Sequence, residues 1–420
     1  MREPSMPSLP LLRAFNAVAE HKSITKAAAS LHRTQPALTI SIGKLERLLG
    51  VSLVERGRSG ARLTSAGILL SRRMRRMLDR LDAALAEIAA IPDGVSWAKR
   101  ITDVQARSIA ALADCDTIEQ SAVEIGVTAV SLRRTIQSIE RLVGKSLVQP
   151  VARGIGPSKL GAQLARRMKL ALGEIAAAIE EIEIARGRIR SRIAIGVVPL
   201  SATRLLTLAI NDLLVEYPDA SVAIAHGSYE PLLDDLRAAR IDMLYGVLRL
   251  PSWNDDVKEE PLFFDPYVIA VRKNHPLTKL RRLTLNALAR FDWIAPKLGT
   301  PRRQNLQRMF EDCSWQPKIA IETSSLDVQR SFLLSSDRVT LLTRREMEAE
   351  AATSGLVALS FAPRVMRGHD GVATRIDWLP TPVQARFLEL LRVHCRDHSG
   401  LRNIAPEPRS AAAPDNAVVT

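Results

Sequence analysis

Residues 12–67 read LRAFNAVAEHKSITKAAASLHRTQPALTISIGKLERLLGVSLVERGRSGARLTSAG, three helical patterns closed by a basic hairpin. Leu11, Leu12, Phe15, Val18 and Ala19 share one side of a first helix. Ser23 is placed to cap a second helix, because its hydroxyl can accept a bond from a free backbone amide. Ala27, Ala28 and Leu31 give that helix a small face that another helix can approach closely. Thr34 suits the cap of a third helix, and Pro36 is tolerated only in a first turn, where no amide is needed. Leu38, Ile42, Leu45 and Leu49 then recur at helical spacing, and Gly50 stops the run. The other side of this helix shows Gln35, Thr39, Ser41 and Lys44. A polar, largely uncharged face of this kind suits base edges in a major groove. Arg56-Gly57-Arg58-Ser59-Gly60-Ala61-Arg62 follows as a basic wing able to lie along phosphates.

A shift of 94 residues superimposes this segment on the next without a gap over about eighty residues. Leu45-Glu46-Arg47-Leu48 falls on Ile139-Glu140-Arg141-Leu142, Gly50 on Gly144, Gly67 on Gly161, and Arg72-Arg73-Met74 on Arg166-Arg167-Met168. Each copy ends in a long helical pattern. Leu70, Met74, Met77, Leu81, Ala84 and Ile88 step by four and three, as do Leu164, Met168, Ala171, Ile175, Ala178 and Ile182. Such a narrow apolar stripe suits a single partner helix, so the expectation is a seam between two chains, with packing of each helix on its own domain as the alternative. Pro92-Asp93-Gly94 and Arg186-Gly187 punctuate the two units.

The 12–67 segment resembles the N-terminal domain of LysR-type transcriptional regulators. The shared pattern is Phe, Val-Ala-Glu, Ser-x-Thr-x-Ala-Ala, Gln-Pro-Ala, Leu-Glu, Leu-Gly, an arginine wing and Leu-Thr-x-x-Gly, with Thr34 and Thr39 standing where that family has serines. The resemblance implies that Gln35, Pro36 and Thr39 approach bases. It places Ser23, Thr25, Lys26, Arg33, Thr34, Lys44, Arg56, Arg58 and Arg62 with them in the DNA-binding set. In the second copy the Gln-Pro pair is gone and the wing, residues 150–156, has lost most of its charge. Arg133, Arg134 and Gln137 offer a second DNA contact there; a purely structural or dimerising role stays open.

From Ser191 the texture changes to short strands alternating with helices. Residues 192–197, 222–225 and 242–247 read as strands separated by helices through Leu205–Leu213 and Leu232–Ala239, a βαβαβ order that implies a parallel sheet. Further strands fall at 267–271, 293–295, 319–322, 339–342 and 356–359. Glu216-Tyr217-Pro218, Glu260-Pro261-Leu262 and Val271-Arg272-x-x-His275-Pro276-Leu277 resemble the effector domain of the same family, which is similar to a type 2 periplasmic binding protein. In open α/β sheets ligands sit beyond the C-terminal strand ends, where helix starts present free amides. Those positions are Pro199, Leu200, Ser201, Ser228, Gly246, Arg249, Thr300, Arg302, Ser324 and Ser325. Hydroxyls and amides of this kind suit a carboxylate or a polar sugar; ordinary N-capping by the serines, and surface ion pairs for Arg249 and Arg302, are the alternatives.

The expected organisation is two all-α-rich winged helix-turn-helix domains with long linker helices, then an α/β two-lobed effector domain. The boundaries are 8–67 and 68–92 for the first winged domain and its linker helix, 102–161 and 162–187 for the second pair, 190–398 for the effector domain, and 399–420 for a disordered tail. Bulk properties agree with a nucleic-acid partner: the net charge is +14 over 420 residues. Residues 1–100 alone hold 17 Lys and Arg against 8 Asp and Glu. The three cysteines are far apart and in no zinc spacing, no apolar stretch is long enough to span a bilayer, and no secretory leader opens the sequence. No HExxH, GxSxG or P-loop is present. The reading is a cytoplasmic, sequence-specific regulator, not an enzyme, with no cofactor and no membrane partner. Its partners would be promoter DNA, a small-molecule effector, further copies in a homodimer or homotetramer, and RNA polymerase. A sequence-indifferent architectural clamp is disfavoured by the Gln35/Thr39 face, and a solute-binding protein by the missing leader.

Overall fold

Helix α1 (Leu9–His21) buries Leu12, Phe15 and Val18 and ends at Lys22, whose left-handed φ of 50° turns the chain. Helix α2 (Ile24–Ser30) starts where Ser23 Oγ accepts from Lys26 N at 3.3 Å, and α3 (Gln35–Leu49) where Thr34 Oγ1 accepts from Ala37 N at 3.4 Å. Strands β1 (Val54–Gly57) and β2 (Gly60–Leu63) form the antiparallel wing, and α4 (Ser65–Ala86) follows. The computed structural model describes residues 6–57, 60–86, 88, 100–188, 191–198, 203–249, 254–313, 315–351, 355–361 and 368–398. The expected tail at 399–420 and the break at 92–94 lie outside them.

The same element order then recurs: α5 (Asp103–Ala111), α6 (Ile118–Glu124), α7 (Ala129–Val143), β3 (Val148–Val151), β4 (Gly154–Pro157) and α8 (Lys159–Ala185). Individual bonds recur with it, 94 residues on. Glu46 Oε1 accepts from Leu53 N at 2.7 Å, and Glu140 Oε1 from Leu147 N at 2.7 Å. Thr64 Oγ1 and Ser158 Oγ each accept from a glycine amide, of Gly67 and Gly161, at 3.0 Å. Both glycines are required by close approach: a Cβ on either would run into the carbonyl oxygen of Leu53 or Leu147.

The two long helices correct the expected interchain seam. Helices α4 and α8 pack against each other within one chain, antiparallel, since Arg73 meets Glu181 while Arg80 meets Glu174. Leu70, Met74, Met77, Leu81 and Ala84, with Leu164, Met168, Ala171, Ile175, Ala178 and Ile182, are at most 1% exposed. They join the cores of both three-helix units in one apolar cluster. The physical reason is effective concentration. Two complementary stripes tethered in one chain meet far more often than stripes on separate chains.

Ser191 leads into two α/β lobes. In the first, strands β5 (Arg192–Val197), β6 (Ser221–His226), β7 (Met243–Val247), β8 (Val257–Phe264) and β14 (His369–Arg375) lie in the order β6-β5-β7-β14-β8. Helices α9 (Thr203–Glu216), α10 (Tyr229–Arg237) and α15 (Pro382–His398) cover it. In the second, β9 (Tyr267–Arg272), β10 (Trp293–Ala295), β11 (Ile319–Glu322), β12 (Val339–Thr343) and β13 (Leu356–Ala358) lie in the order β11-β10-β12-β9-β13. It carries α11 (Leu285–Ala289), α12 (Pro301–Met309), α13 (Leu326–Ser335) and α14 (Arg344–Ala351). Strands β5, β6 and β7 are parallel, as their βαβαβ order implies, but β14 returns from the second lobe and inserts antiparallel between β7 and β8. The chain therefore crosses between the lobes twice, at β8–β9 and at β13–β14. His275 holds the turn after β9: its Nδ1 accepts from Leu277 N at 3.1 Å while Nε2 faces Asp337 O at 3.0 Å. This pairing fits a neutral ring, and burial lowers its pKa.

The long helices seat the first lobe. Arg73 Nη1 donates to Leu379 O at 3.0 Å, Arg80 Nη2 reaches Asp377 Oδ2 at 2.8 Å, and Thr381 Oγ1 donates to Glu180 Oε1 at 2.9 Å.

Candidate nucleic-acid interface and effector cleft

Helix α3 is amphipathic by construction. Leu38, Ile42, Leu45 and Leu49 point into the core, which leaves the faces one residue to either side for solvent. Gln35, Pro36 and Lys44 are exposed and Thr39 is half-buried. Ile40, which the sequence reading passed over, is 57% exposed on the same face. It is an apolar residue off the core stripe, and that displacement was its legible signal. Glutamine can bond an adenine edge twice, and an exposed branched carbon chain can meet a thymine methyl.

The cations that flank α3 in sequence lie at the surface where they are described. Lys26, Arg33 and Arg62 are exposed. The wing is tied to the turn that ends α1, because Ala61 N donates to Lys22 O at 3.0 Å. Ser23 and Thr34 spend their hydroxyls on helix caps, so their bond to DNA would be shared with that role. Thr25 is exposed at the start of α2. The side chain of Arg56 and the whole of Arg58 lie outside the described residues.

On α7 the equivalent face differs. Arg133 stands where α3 has Thr39, and it is held by Glu119 at 3.4 Å. Arg134 and Gln137 are exposed, as are Val123, Val127 and Val130.

Between the two lobes lies a cleft of about 550 Å³. Of the residues expected there, Ser228, Arg249, Thr300, Arg302 and Ser324 line it. Gly246 and Ser325 do not: Gly246 is buried within β7, and Ser325 caps α13 by accepting from Val328 N at 3.4 Å. Each sits one residue from a lining position, Val247 or Ser324, a distance that strand and turn geometry decides and spacing cannot. Pro199, Leu200 and Ser201 lie outside the described residues.

Two of the expected arginines are committed to carboxylates. Arg249 stacks 3.9 Å over the Tyr229 ring and pairs with Glu230 at 2.5 Å. Arg302 is buried and forks onto both oxygens of Glu346 at 2.8 Å, with Leu341 O as a further acceptor at 3.0 Å. Burial alone disfavours the Arg302 charge, and Glu346 outweighs it, so the guanidinium's pKa is raised above its ordinary value.

Lys297, Tyr229 and Tyr267 also line the cleft and were missed. Two of the chain's four tyrosines meeting in one cleft is a signal that appears only after folding. The Tyr229 hydroxyl donates to Glu259 at 3.0 Å, and burial followed by that carboxylate keeps its pKa well above the usual phenol range. Lys297 is exposed at the rim, with no carboxylate partner among the described residues.

Comparisons with known proteins agree with this division. Residues 186–396 match the LysR substrate binding domain, and residues 9–68 match the bacterial regulatory helix-turn-helix protein of the lysR family. Residues 69–185, which hold most of α4 and all of α5 to α8, fall between the two. The chain is 27% identical over 398 residues to the HTH-type transcriptional regulator GalR of Pseudomonas putida, covering 93% of this chain and 98% of that one. That alignment therefore runs through the intervening segment. It is 24% identical over 283 residues to the HTH-type transcriptional regulator PcaQ of Agrobacterium fabrum, covering 66% of this chain and 89% of the relative. Among solved structures, a full-length OxyR variant from Pseudomonas aeruginosa shares the fold with a TM-score of 0.56 at 19% identity, over 70% of this chain and 95% of that chain.

Proposed function

This chain belongs to the LysR family of bacterial regulatory helix-turn-helix proteins, and on that premise we propose that it reads promoter sequence through α3 and answers to a small anionic ligand held between its two C-terminal lobes. It is a DNA-binding transcriptional regulator with a C-terminal effector-binding domain. The observation that carries the finer reading is the α3 face, where Gln35, Pro36 and Ile40 are exposed and Thr39 half-buried, with Lys26, Arg33 and Arg62 exposed as well. The bases are read by that face, and the cations, with Thr25, Arg56 and Arg58, hold phosphates.

The second unit is a tandem copy of the first winged helix-turn-helix whose reading face has been rewritten, a reading supported by the 94-residue register of matching caps and bonds. Assembly into a homodimer or homotetramer uses surfaces other than the α4–α8 seam, which is filled. RNA polymerase is the machinery such a regulator addresses.

Gln35→Ala tests the reader. Selected genomic duplexes should bind the variant about 5- to 150-fold more weakly, the span expected for one bidentate base contact, while binding to random DNA stays unchanged. Equal affinity of the wild-type chain for selected and random duplexes at moderate salt would sink the proposal.

The cleft is read as a carboxylate site with an apolar body, because exposed Lys297 lines it with Ser228 and Ser324 beside apolar Val198, Val247 and Leu298, while its other charges, Arg249 with Glu230 and Arg302 with Glu346, are already paired. In a thermal-shift panel, some small organic carboxylates should raise Tm while their neutral amides do not, and Lys297→Ala should lose that response. Stabilisation by the amides equal to that by the acids would contradict it.

A further inference from the structure

Helices α4 and α8 do more than fill each other's stripe; their contacts repeat about an internal axis. Arg80 Nε meets Glu174 Oε1 at 3.1 Å, and residues 80 and 174 are the same position in the two units, 94 apart. At the other end Leu9 N donates to Asp103 Oδ1 at 3.4 Å, again a position meeting its own counterpart. Beside that pair the contacts are reciprocal to within a residue. Arg13 Nη2 donates to Ile101 O at 2.6 Å, and its counterpart Arg107 donates through Nη2 to Met6 O at 3.3 Å. In a twofold interface residue i meets j and j meets i, and only positions on the axis meet themselves. Both signatures occur here, within one chain.

From this we infer that a single chain supplies both halves of a twofold DNA reader, and that its DNA site is two inverted half-sites of unlike sequence, one for α3 and one for α7. The inference rests on the reading of α3 given above and extends it to the second unit. A duplex has local dyads of its own, so a dyad-related pair of reading helices can meet two half-sites in one pose, a helical turn or a multiple of it apart. The two faces carry different chemistry. Gln35 on α3 favours adenine. On α7 the exposed Arg134 and Gln137 replace Ile40 and Gly43, and Arg133 replaces Thr39, so that half-site should contain guanine where arginine reaches its edge. Exposed Val127, where the first unit has Arg33, removes one phosphate contact. The second half-site is accordingly the weaker one.

The experiment uses the full chain on duplexes enriched from a random pool, with hydroxyl-radical footprinting and measured affinities. Two protected patches with different sequences are expected. Gln35→Ala should weaken discrimination in the first patch, and Arg134→Ala with Gln137→Ala in the second, each lowering affinity about tenfold. All three residues are exposed, and circular dichroism checks that the fold is kept. The two variants should then be mixed. If one chain serves both half-sites, the mixture stays weak, because no single chain has both faces intact. Wild-type binding on mixing would overturn the inference, as would an identical sequence in both patches. Wild-type affinity and footprint for the α7 variant would overturn it too, and would leave the valine-rich α7 surface to a protein partner. Loss of any effect from Gln35→Ala alone would instead count against the α3 reading.

Discussion

Replacing Arg73 with alanine should destabilise the chain by about 3–5 kcal/mol, the cost of removing one partner from a buried ion cluster. Arg73 is 1% exposed, and its guanidinium bonds Glu181 at 2.5 and 3.0 Å and Glu174 at 2.8 Å. The two carboxylates are themselves 2% and 6% exposed. Without Arg73 they remain buried, with Arg72, Arg76 and Arg80 at their edges. The loss should reach both halves of the protein, because the same side chain donates to Leu379 O and Pro380 O at the foot of the first lobe. Urea unfolding of the variant, followed by far-ultraviolet circular dichroism, measures it. Arg72→Ala is the control: its side chain is 52% exposed, so its bond to Glu181 should matter by about 1 kcal/mol or less. An Arg73→Ala chain as stable as wild type would mean that the α4–α8 seam is not held as described.

Arg302→Met should also cost about 3–5 kcal/mol, and Arg302→Met combined with Glu346→Leu should recover most of it. The pair is 5% exposed on each side, so deleting the cation strands a carboxylate in the core of the second lobe. Glu346 is further committed to the start of α14, accepting from Thr343 N at 2.7 Å while its own amide donates to Thr343 Oγ1 at 3.3 Å. A reciprocal cap of this kind fixes the carboxylate's direction. Equilibrium unfolding of the single and double variants separates the two roles open to Arg302. A structural pair gives the loss and recovery above. A dedicated ligand contact would leave stability unchanged and remove only the carboxylate response, and that result would reverse the assignment made here.

Local rules made much of the headpiece legible. Ser23 and Thr34 cap the helices that their hydroxyls and the following apolar spacing implied, because capping involves residues three apart. Pro36 in the first turn and Gly50 with φ 65° at the end bracket α3 for the same local reason. All five strands of the second lobe were legible, but β8 and β14, which complete the first lobe's sheet, were not. Strand β14 pairs with β7 over 120 residues away, and no periodicity within β14 announces its neighbours. The cleft was found only in part, since Tyr229 and Tyr267 reach it from different lobes while Ser325, correct in type, was taken by its own helix.

By itself, then, the order of residues determined the two three-helix units, the polar face on α3, the unbroken 94-residue register and the alternation of strands and helices beyond Ser191. Each depends on interactions between residues a few positions apart. Which surface completes the paired stripes on α4 and α8, and whether Arg302 meets a ligand or Glu346, only the tertiary structure decided. Burial makes a charge or an apolar stripe take whatever complement lies nearest in space, and that partner can be anywhere along the chain.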